Sequence, residues 1–242
     1  AILTFPNVPK VVNQSAVPHY LVHGYVPAPE TFFQGIYELP PGHILILEQG
    51  QIAIKQYWDI PHDIDSPTGL SEQETSEQTL ELLSEAVRSR LMSDVPLGAF
   101  LSGGVDSSAI VALMTRFTDA PVKTFSIGFA GDQSFDELDH ARFVARTFET
   151  DHHEFVVKPD AIELLPQLVR HYDQPFADSS ALPTFLVSQL TREYVTVALT
   201  GDGGDELFAG YDRFIAAQVA ERYRRAPKAI QSGLTRFAAM LP

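Results

Sequence analysis

The sequence contains no cysteine. That excludes disulfides, cysteine-ligated metal and a cysteine nucleophile together. Basic residues are scarce: 17 Lys and Arg stand against 31 Asp and Glu, a formal net charge of −14. A nucleic-acid binder shows a basic stripe. The densest basic patch here, Arg222 to Arg225, is short and reads as the solvated face of a helix, so no nucleic-acid partner is expected. No run approaches the roughly 18 apolar residues of a membrane span. The start, "AILTFPNVPK", lacks the charged opening and apolar block of a secretory signal. A cytoplasmic protein is the expectation. Asn13-Gln14-Ser15 has the glycosylation pattern, but that pattern is common by chance. An acidic chain that handles an anionic substrate must supply local positive potential. Backbone amides, a helix N-terminus or Mg²⁺ can do so.

What is present suffices for a large core: 242 residues, 45% of them hydrophobic, with 16 Phe. This length holds one large domain, or one domain and a piece of another. The texture changes near residue 60. Before it the chain reads as strands, with "GHILILEQGQIAIKQYWDI" forming a hairpin around Gln49-Gly50-Gln51. "PHDIDSPTG" then reads as a linker. Ser71 and Glu74 offer a capping box, and Leu80, Leu83, Val87 and Leu91 follow at helical spacing. Strands are expected at "LGAFLS", "VKTFSIGF", "HHEFVV" and "YVTVALT". Helices carry Ile110, Leu113, Met114 and Phe117, then Ala141, Val144, Ala145 and Phe148. Further helices are expected over about 160–172 and 181–192, with another beginning near Glu206. Alternating strands and helices predict an α/β fold, a parallel sheet with helices on both faces.

Ligands of such sheets bind beyond the C-terminal ends of the strands. Two glycine-rich stretches sit there, "LSGGVDSS" at 101–108 and "LTGDGGDE" at 199–206. In the first, Ser102 lacks the G-x-S-x-G elbow of a serine nucleophile. The Walker lysine and the dinucleotide fingerprint are also absent. A plain turn needs one glycine, whereas this loop has two, with a serine before them and Asp-Ser-Ser at the helix start. Amides and hydroxyls at a helix N-terminus form an anion cradle. Asp106 beside a phosphate makes sense only with a bridging Mg²⁺. In the second stretch, Asp202 and Asp205 read as ligand-binding acids or as helix caps. His152 and His153, adjacent on a strand, face opposite sides and do not share a metal. Tyr57 and Trp58 read as packing at the domain junction.

"SGGVDSS" after a strand resembles the pyrophosphate loop of the ATP pyrophosphatase group. "LTGDGGDELFAGYDRF" (199–214) resembles the signature of the asparagine synthetase family. "FSIGF", "FDELDHARFVA", "TDHHEF" and "DQPFADSSALPTFLVS" are similar to that family in the same order, and "GIYELPPGHILIL…YWDI" resembles the end of its glutaminase domain. The resemblance implies a Rossmann-like, adenine nucleotide alpha hydrolase-like domain over 63–242. A short β-rich remnant of a class II glutamine amidotransferase domain and linker precedes it over 1–62. It implies an ATP-dependent ligase: aspartate, ATP and Mg²⁺ give β-aspartyl-AMP and pyrophosphate, and ammonia, drawn from glutamine in the full-length protein, gives asparagine and AMP. Other members of the wider family adenylate other carboxylates, and a non-catalytic nucleotide-binding scaffold is the remaining alternative. A homodimer is left open.

The resemblance also assigns residues. Ser102, Gly103, Gly104, Ser107 and Ser108 hold pyrophosphate. Leu101, Ile127, Thr200 and Gly201 line the adenosine. Asp106 and Asp205 hold Mg²⁺. Asp202 matches an acid important for acyl-adenylate formation, which is Glu in many members. Asp178, Ser179 and Ser180 match a stretch near the active site. The family's glutaminase nucleophile is a cysteine, and its synthetase domain continues into a helical region that supplies a lysine. The expectation is therefore a piece of a longer protein, cut in both domains and short of full activity.

Overall fold

A computed structural model describes residues 2–61, 69–130, 137–158, 161–225, 227, 228 and 231. Most of the expected linker, with the domain boundary near residue 62, lies outside the described residues. So do residues 135 and 136 and the C-terminal "RFAAMLP".

The N-terminal part is not built of strands alone. Helix α1 spans Ala16–His23, where an all-strand reading is overturned. Pro18 falls in its first turn, where a missing N–H costs nothing. Gly24, at φ 80°, ends it by donating to the Tyr20 carbonyl at 2.8 Å. Leu21 and Val22 are exposed and only Ala16 is fully buried, so the helix carries too little buried apolar surface for periodicity to reveal it. The expected hairpin is present as β1 (His43–Glu48) and β2 (Gln51–Gln56). Gln49 and Gly50 both have positive φ, as a two-residue hairpin turn requires. Tyr57 and Trp58 do not pack at a junction: they are 71% and 59% exposed. Hydrogen bonds bridge the two parts elsewhere. Gln174 accepts from the Phe32 amide at 3.2 Å and donates to Glu38 at 2.9 Å, and the Ala177 amide donates to Gly24 at 2.9 Å. Loop residues thus link the two parts, which apolar patterning cannot foretell.

The larger part opens with helix α2 (Glu72–Arg90), whose Ser71 and Glu74 form the full capping box. Then follow β3 (Leu97–Phe100), α3 (Val105–Phe117), β4 (Lys123–Phe129), α4 (Leu138–Thr147) and β5 (Asp151–Val157). Next are α5 (Ala161–His171), α6 (Ala181–Thr191), β6 (Val197–Leu199), α7 (Gly204–Phe208) and α8 (Asp212–Arg225). The sheet order is β5-β4-β3-β6 and every pairing is parallel. On one face Val87 of α2, Val111, Leu113 and Met114 of α3, and Ala141, Val144 and Ala145 of α4 close over Ala99. On the other, Phe125 lies under His153, Phe155 and Tyr194, and α6 packs against β4. Strand β6 is shorter than its apolar run. The amides of Tyr194 and Val195 bond to the Thr191 carbonyl at 2.9 and 3.0 Å, so the end of α6 absorbs them.

The two histidines of β5 do diverge. His153 stacks on Phe125, while Nδ1 of His152 lies 2.9 Å from the Thr124 hydroxyl. Beside it, Arg142 of α4 forks onto Glu154 at 2.7 to 3.0 Å. Burial lowers the His152 pKa, against the pull of Glu154 3.4 Å away. A histidine held neutral on folding takes up protons only in the unfolded chain as pH drops, so its contribution is complete above about 6.5 and shrinks below. Chemical denaturation at pH 7.5 and 5.5 is expected to show a smaller loss of stability for His152→Gln than for wild type.

Candidate active site

After β3 the chain crosses to β4 on one side. It later returns as β6 on the other side of β3. The loops that leave the C-terminal ends of β3 and β6 are therefore neighbours that diverge, which opens a crevice at a topological switch point.

The first loop is shaped by close approach. Gly103 has φ 83°, and a Cβ there would lie 2.6 Å from the Ala141 amide nitrogen of α4. Gly104 caps α3 with no side chain. The Ser102 and Ser107 hydroxyls are 3.0 Å apart. The Gly104 amide donates to the Ser102 hydroxyl at 3.2 Å, and the Ser102 amide donates to the Ser107 hydroxyl at 3.3 Å. The Ser108 hydroxyl is buried and makes no hydrogen bond among the described residues.

Glycines of the second loop press on Asp106 in the first. A Cβ at Gly201 would lie 2.8 Å from the Asp106 Cβ, and one at Gly204 would lie 2.5 Å from its carboxyl carbon. Gly203, at φ 95°, is the N-cap of α7, and no side chain caps that helix. Neither Asp202 nor Asp205 is thus a cap, and both carboxylates remain for other work. The Asp202 amide donates to the Thr200 hydroxyl at 3.3 Å. Asp205 lies against Gly210, where a Cβ would collide with its carboxylate.

These residues line one open cleft of about 420 Å³: Ser102, Asp106, Ser107, Thr200, Gly201, Asp202 and Asp205, with Phe100, Thr184, Gly203, Glu206 and Tyr211. Four carboxylates and no Lys or Arg are in that lining. Tyr211 donates to Glu206 at 2.7 Å; this bond lowers the Glu206 pKa and raises that of Tyr211. Arg213 sits 4.4 Å over the Tyr211 ring, at the edge of the cleft. A smaller cavity of about 180 Å³ adjoins it, lined by Leu101, Ser126, Ile127, Phe125, Leu138, Pro183 and Val187 among others. Gly103, Gly104 and Ser108 are not in the lining of either space. Asp178 and Ser179 line a separate cavity near Tyr172, and Asp178 accepts from the Ser180 amide at 2.8 Å and hydroxyl at 2.7 Å, bonds that lower its pKa.

Residue-by-residue assignment misses Phe100, Thr184, Glu206, Tyr211 and Ser126. Glu206, Tyr211 and Thr184 stand inside the two longest family-like stretches, the only signal that could have found them. Ser126 has none. Its buried hydroxyl donates to the Leu101 carbonyl, while the Leu101 amide donates to Phe125 at 2.8 Å. Strand β4 thus holds the first loop residue at both backbone groups. Ser126→Ala leaves the carbonyl unpaired and is expected to cost about 1–3 kcal/mol in chemical denaturation.

Among the described residues, no group of three or more His, Asp or Glu could hold a metal alone. Mg²⁺ asks for less. It binds through one or two carboxylates and takes its other ligands from phosphates and water. An acid-lined cleft with no Lys or Arg in its lining, where Gly204 leaves room at the Asp106 carboxylate, suits that arrangement. No helix among the described residues is long and apolar enough to cross a membrane.

Comparison with known proteins gives two family matches, "Asparagine synthase" over residues 78–240 and "Glutamine amidotransferase domain" over 1–58. The chain is 39% identical over 221 residues to a putative glutamine-hydrolysing asparagine synthetase 2 of Methanocaldococcus jannaschii, covering 90% of this chain and 42% of that protein. It is 33% identical over 233 residues to glutamine-hydrolysing asparagine synthetase 1 of Bacillus subtilis, covering 96% and 36%. It is also 32% identical over 210 residues to amidase chyE of Penicillium rubens, covering 79% and 31%. The chain therefore spans less than half the length of each.

Proposed function

Because the chain belongs to the asparagine synthase family, we propose that its parallel-sheet domain activates a carboxylate with ATP, and that the carboxylate is the side chain of aspartate. One observation carries this reading. Two glycine-rich loops at the switch point meet around Asp106, in a cleft lined by acids and by hydroxyls. A polyphosphate in such a cleft requires a divalent cation, and Asp106 and Asp205 are the acids assigned to Mg²⁺. When bound, the ion neutralises the charge of the leaving pyrophosphate.

In the proposed reaction an aspartate carboxylate oxygen attacks the α-phosphorus. The bond from that phosphorus to the β-phosphate oxygen breaks, and pyrophosphate leaves with the electron pair. Ammonia then attacks the acyl carbon of β-aspartyl-AMP, loses a proton and expels AMP. Ser102 and Ser107 serve as pyrophosphate donors, exchanging their mutual contact for bonds to phosphate oxygens. Preorganised donors of this kind act where charge develops. Gly103 and Gly104 let the loop take its shape, and Ser108 sits in α3 behind it, its amide donating to the Gly104 carbonyl at 3.0 Å. Leu101 and Ile127 face the adenosine, with Thr200 and Gly201 on the opposite strand end. Asp202 is assigned to the acyl-adenylate step. The glutamine amidotransferase match over 1–58 supports glutamine as the ammonia source in the protein at its full natural length.

Similarity to amidase chyE keeps one other acceptor reading open, a carboxylate other than aspartate, because a protein 32% identical to this chain carries a name other than asparagine synthetase. Pyrophosphate release by the protein at its full natural length, assayed with ammonia and a panel of carboxylates, separates the two. Release that depends on aspartate, with asparagine and AMP formed in equal amounts, is expected. Release driven by another carboxylate but not by aspartate would overturn the aspartate assignment.

A further inference from the structure

The two cavities differ in chemistry. The smaller is walled by Leu101, Phe125, Ile127 and Val187, which suits a flat apolar base. The larger is walled by acids, hydroxyls and glycines, which suits metal-bound phosphates. Among the described residues, only Phe100, Ser102 and Thr184 line both. A nucleotide that fills both must therefore thread its ribose past these three.

Of the three, Phe100 has no polar side-chain atom. The Ser102 hydroxyl is engaged with Ser107 and the Gly104 amide. Thr184 comes from the opposite wall, on α6. Threonines on helices here commonly bond back to their own helix. Thr75, Thr79, Thr115 and Thr147 donate to carbonyls three or four residues earlier at 2.8 to 3.0 Å. The Thr184 hydroxyl makes no hydrogen bond among the described residues, although its amide donates to the Ser180 carbonyl at 3.0 Å in the regular way. Thr191 also lacks a bond at its hydroxyl, but it is buried and lines neither cavity.

We propose that Thr184 is a ribose-binding residue, whose hydroxyl hydrogen-bonds the 2′- or 3′-hydroxyl of the nucleotide and fixes the base relative to the phosphates. This rests on the nucleotide reading above and adds a substrate contact from α6, an element outside the two glycine-rich loops.

The test is calorimetric titration of the protein at its full natural length with Mg-ATP, Mg-2′-deoxy-ATP and Mg-3′-deoxy-ATP. Wild type is expected to bind one deoxynucleotide about tenfold more weakly than ATP, the size of one hydrogen bond. Thr184→Val is expected to bind ATP about tenfold more weakly and to lose that discrimination, while Thr184→Ser restores both. A Thr184→Val protein with wild-type affinity and discrimination overturns the proposal. If Asp106→Asn loses Mg-ATP binding in the same series while Thr184→Val does not change, the nucleotide reading stands and only the ribose assignment falls. If wild type binds no Mg-ATP, both fall.

Discussion

If the proposed function holds, Asp106→Asn is expected to slow aspartate-dependent pyrophosphate release at least about a thousandfold, with little change in melting temperature. The magnitude follows from the role. Removing a single neutral donor from a developing negative charge costs about 10² to 10³ in rate, and a carboxylate in the proposed role of holding the neutralising cation does more. The stability expectation follows from the surroundings. Asn keeps the shape that Gly201 and Gly204 accommodate. Asp106 takes part in no ion pair among the described residues, and its acid is in the first turn of α3, where the gain from the helix dipole is only about 0.3–1 kcal/mol. Loss of fold and loss of chemistry therefore separate. Pyrophosphate release and thermal unfolding on one preparation check both. A rate within tenfold of wild type at saturating Mg²⁺ would remove Asp106 from the metal site.

Much of this is legible in the sequence. Capping at Ser71, the hairpin at Gln49-Gly50 and the alternating strands and helices are local patterns, and local patterns specify local structure. The convergence of the two loops was readable for a different reason. Parallel topology forces the ends of neighbouring strands to one edge, so two glycine-rich strand ends share a site wherever their strands pair. What could not be read depends on contacts between distant segments. Nothing around Ser126 announces that its hydroxyl meets the Leu101 carbonyl. Helix α1 has too little buried apolar surface, and Trp58 is apolar yet exposed. Thr184 is an ordinary helix residue until α6 is laid beside β3 and β4. A side chain that serves a site from an element without glycine punctuation leaves no trace in spacing.

The glycines of the second loop provide the sharper test, because adjacent ones do different work. Gly203 has φ 95° and open space where a Cβ would go. Gly203→Ala meets no neighbour and strains only the backbone, at about 1–2 kcal/mol. Gly204 is the reverse. It starts α7 without positive φ, so alanine suits its backbone, but the new Cβ would lie 2.5 to 2.8 Å from the Asp106 carboxylate atoms. That carboxylate must turn away from the position it holds beside the second loop. Gly204→Ala is therefore expected to keep its melting temperature within a few degrees and lose about a hundredfold or more in pyrophosphate release. Gly203→Ala is expected to melt several degrees lower and keep most of its activity. The order of the two effects is the measurement. Because both changes act through one carboxylate, Gly204→Ala combined with Asp106→Asn should be hardly slower than Asp106→Asn alone, the non-additivity of groups that work as a unit. Multiplying losses in the double variant would mean that Gly204 acts on something other than Asp106.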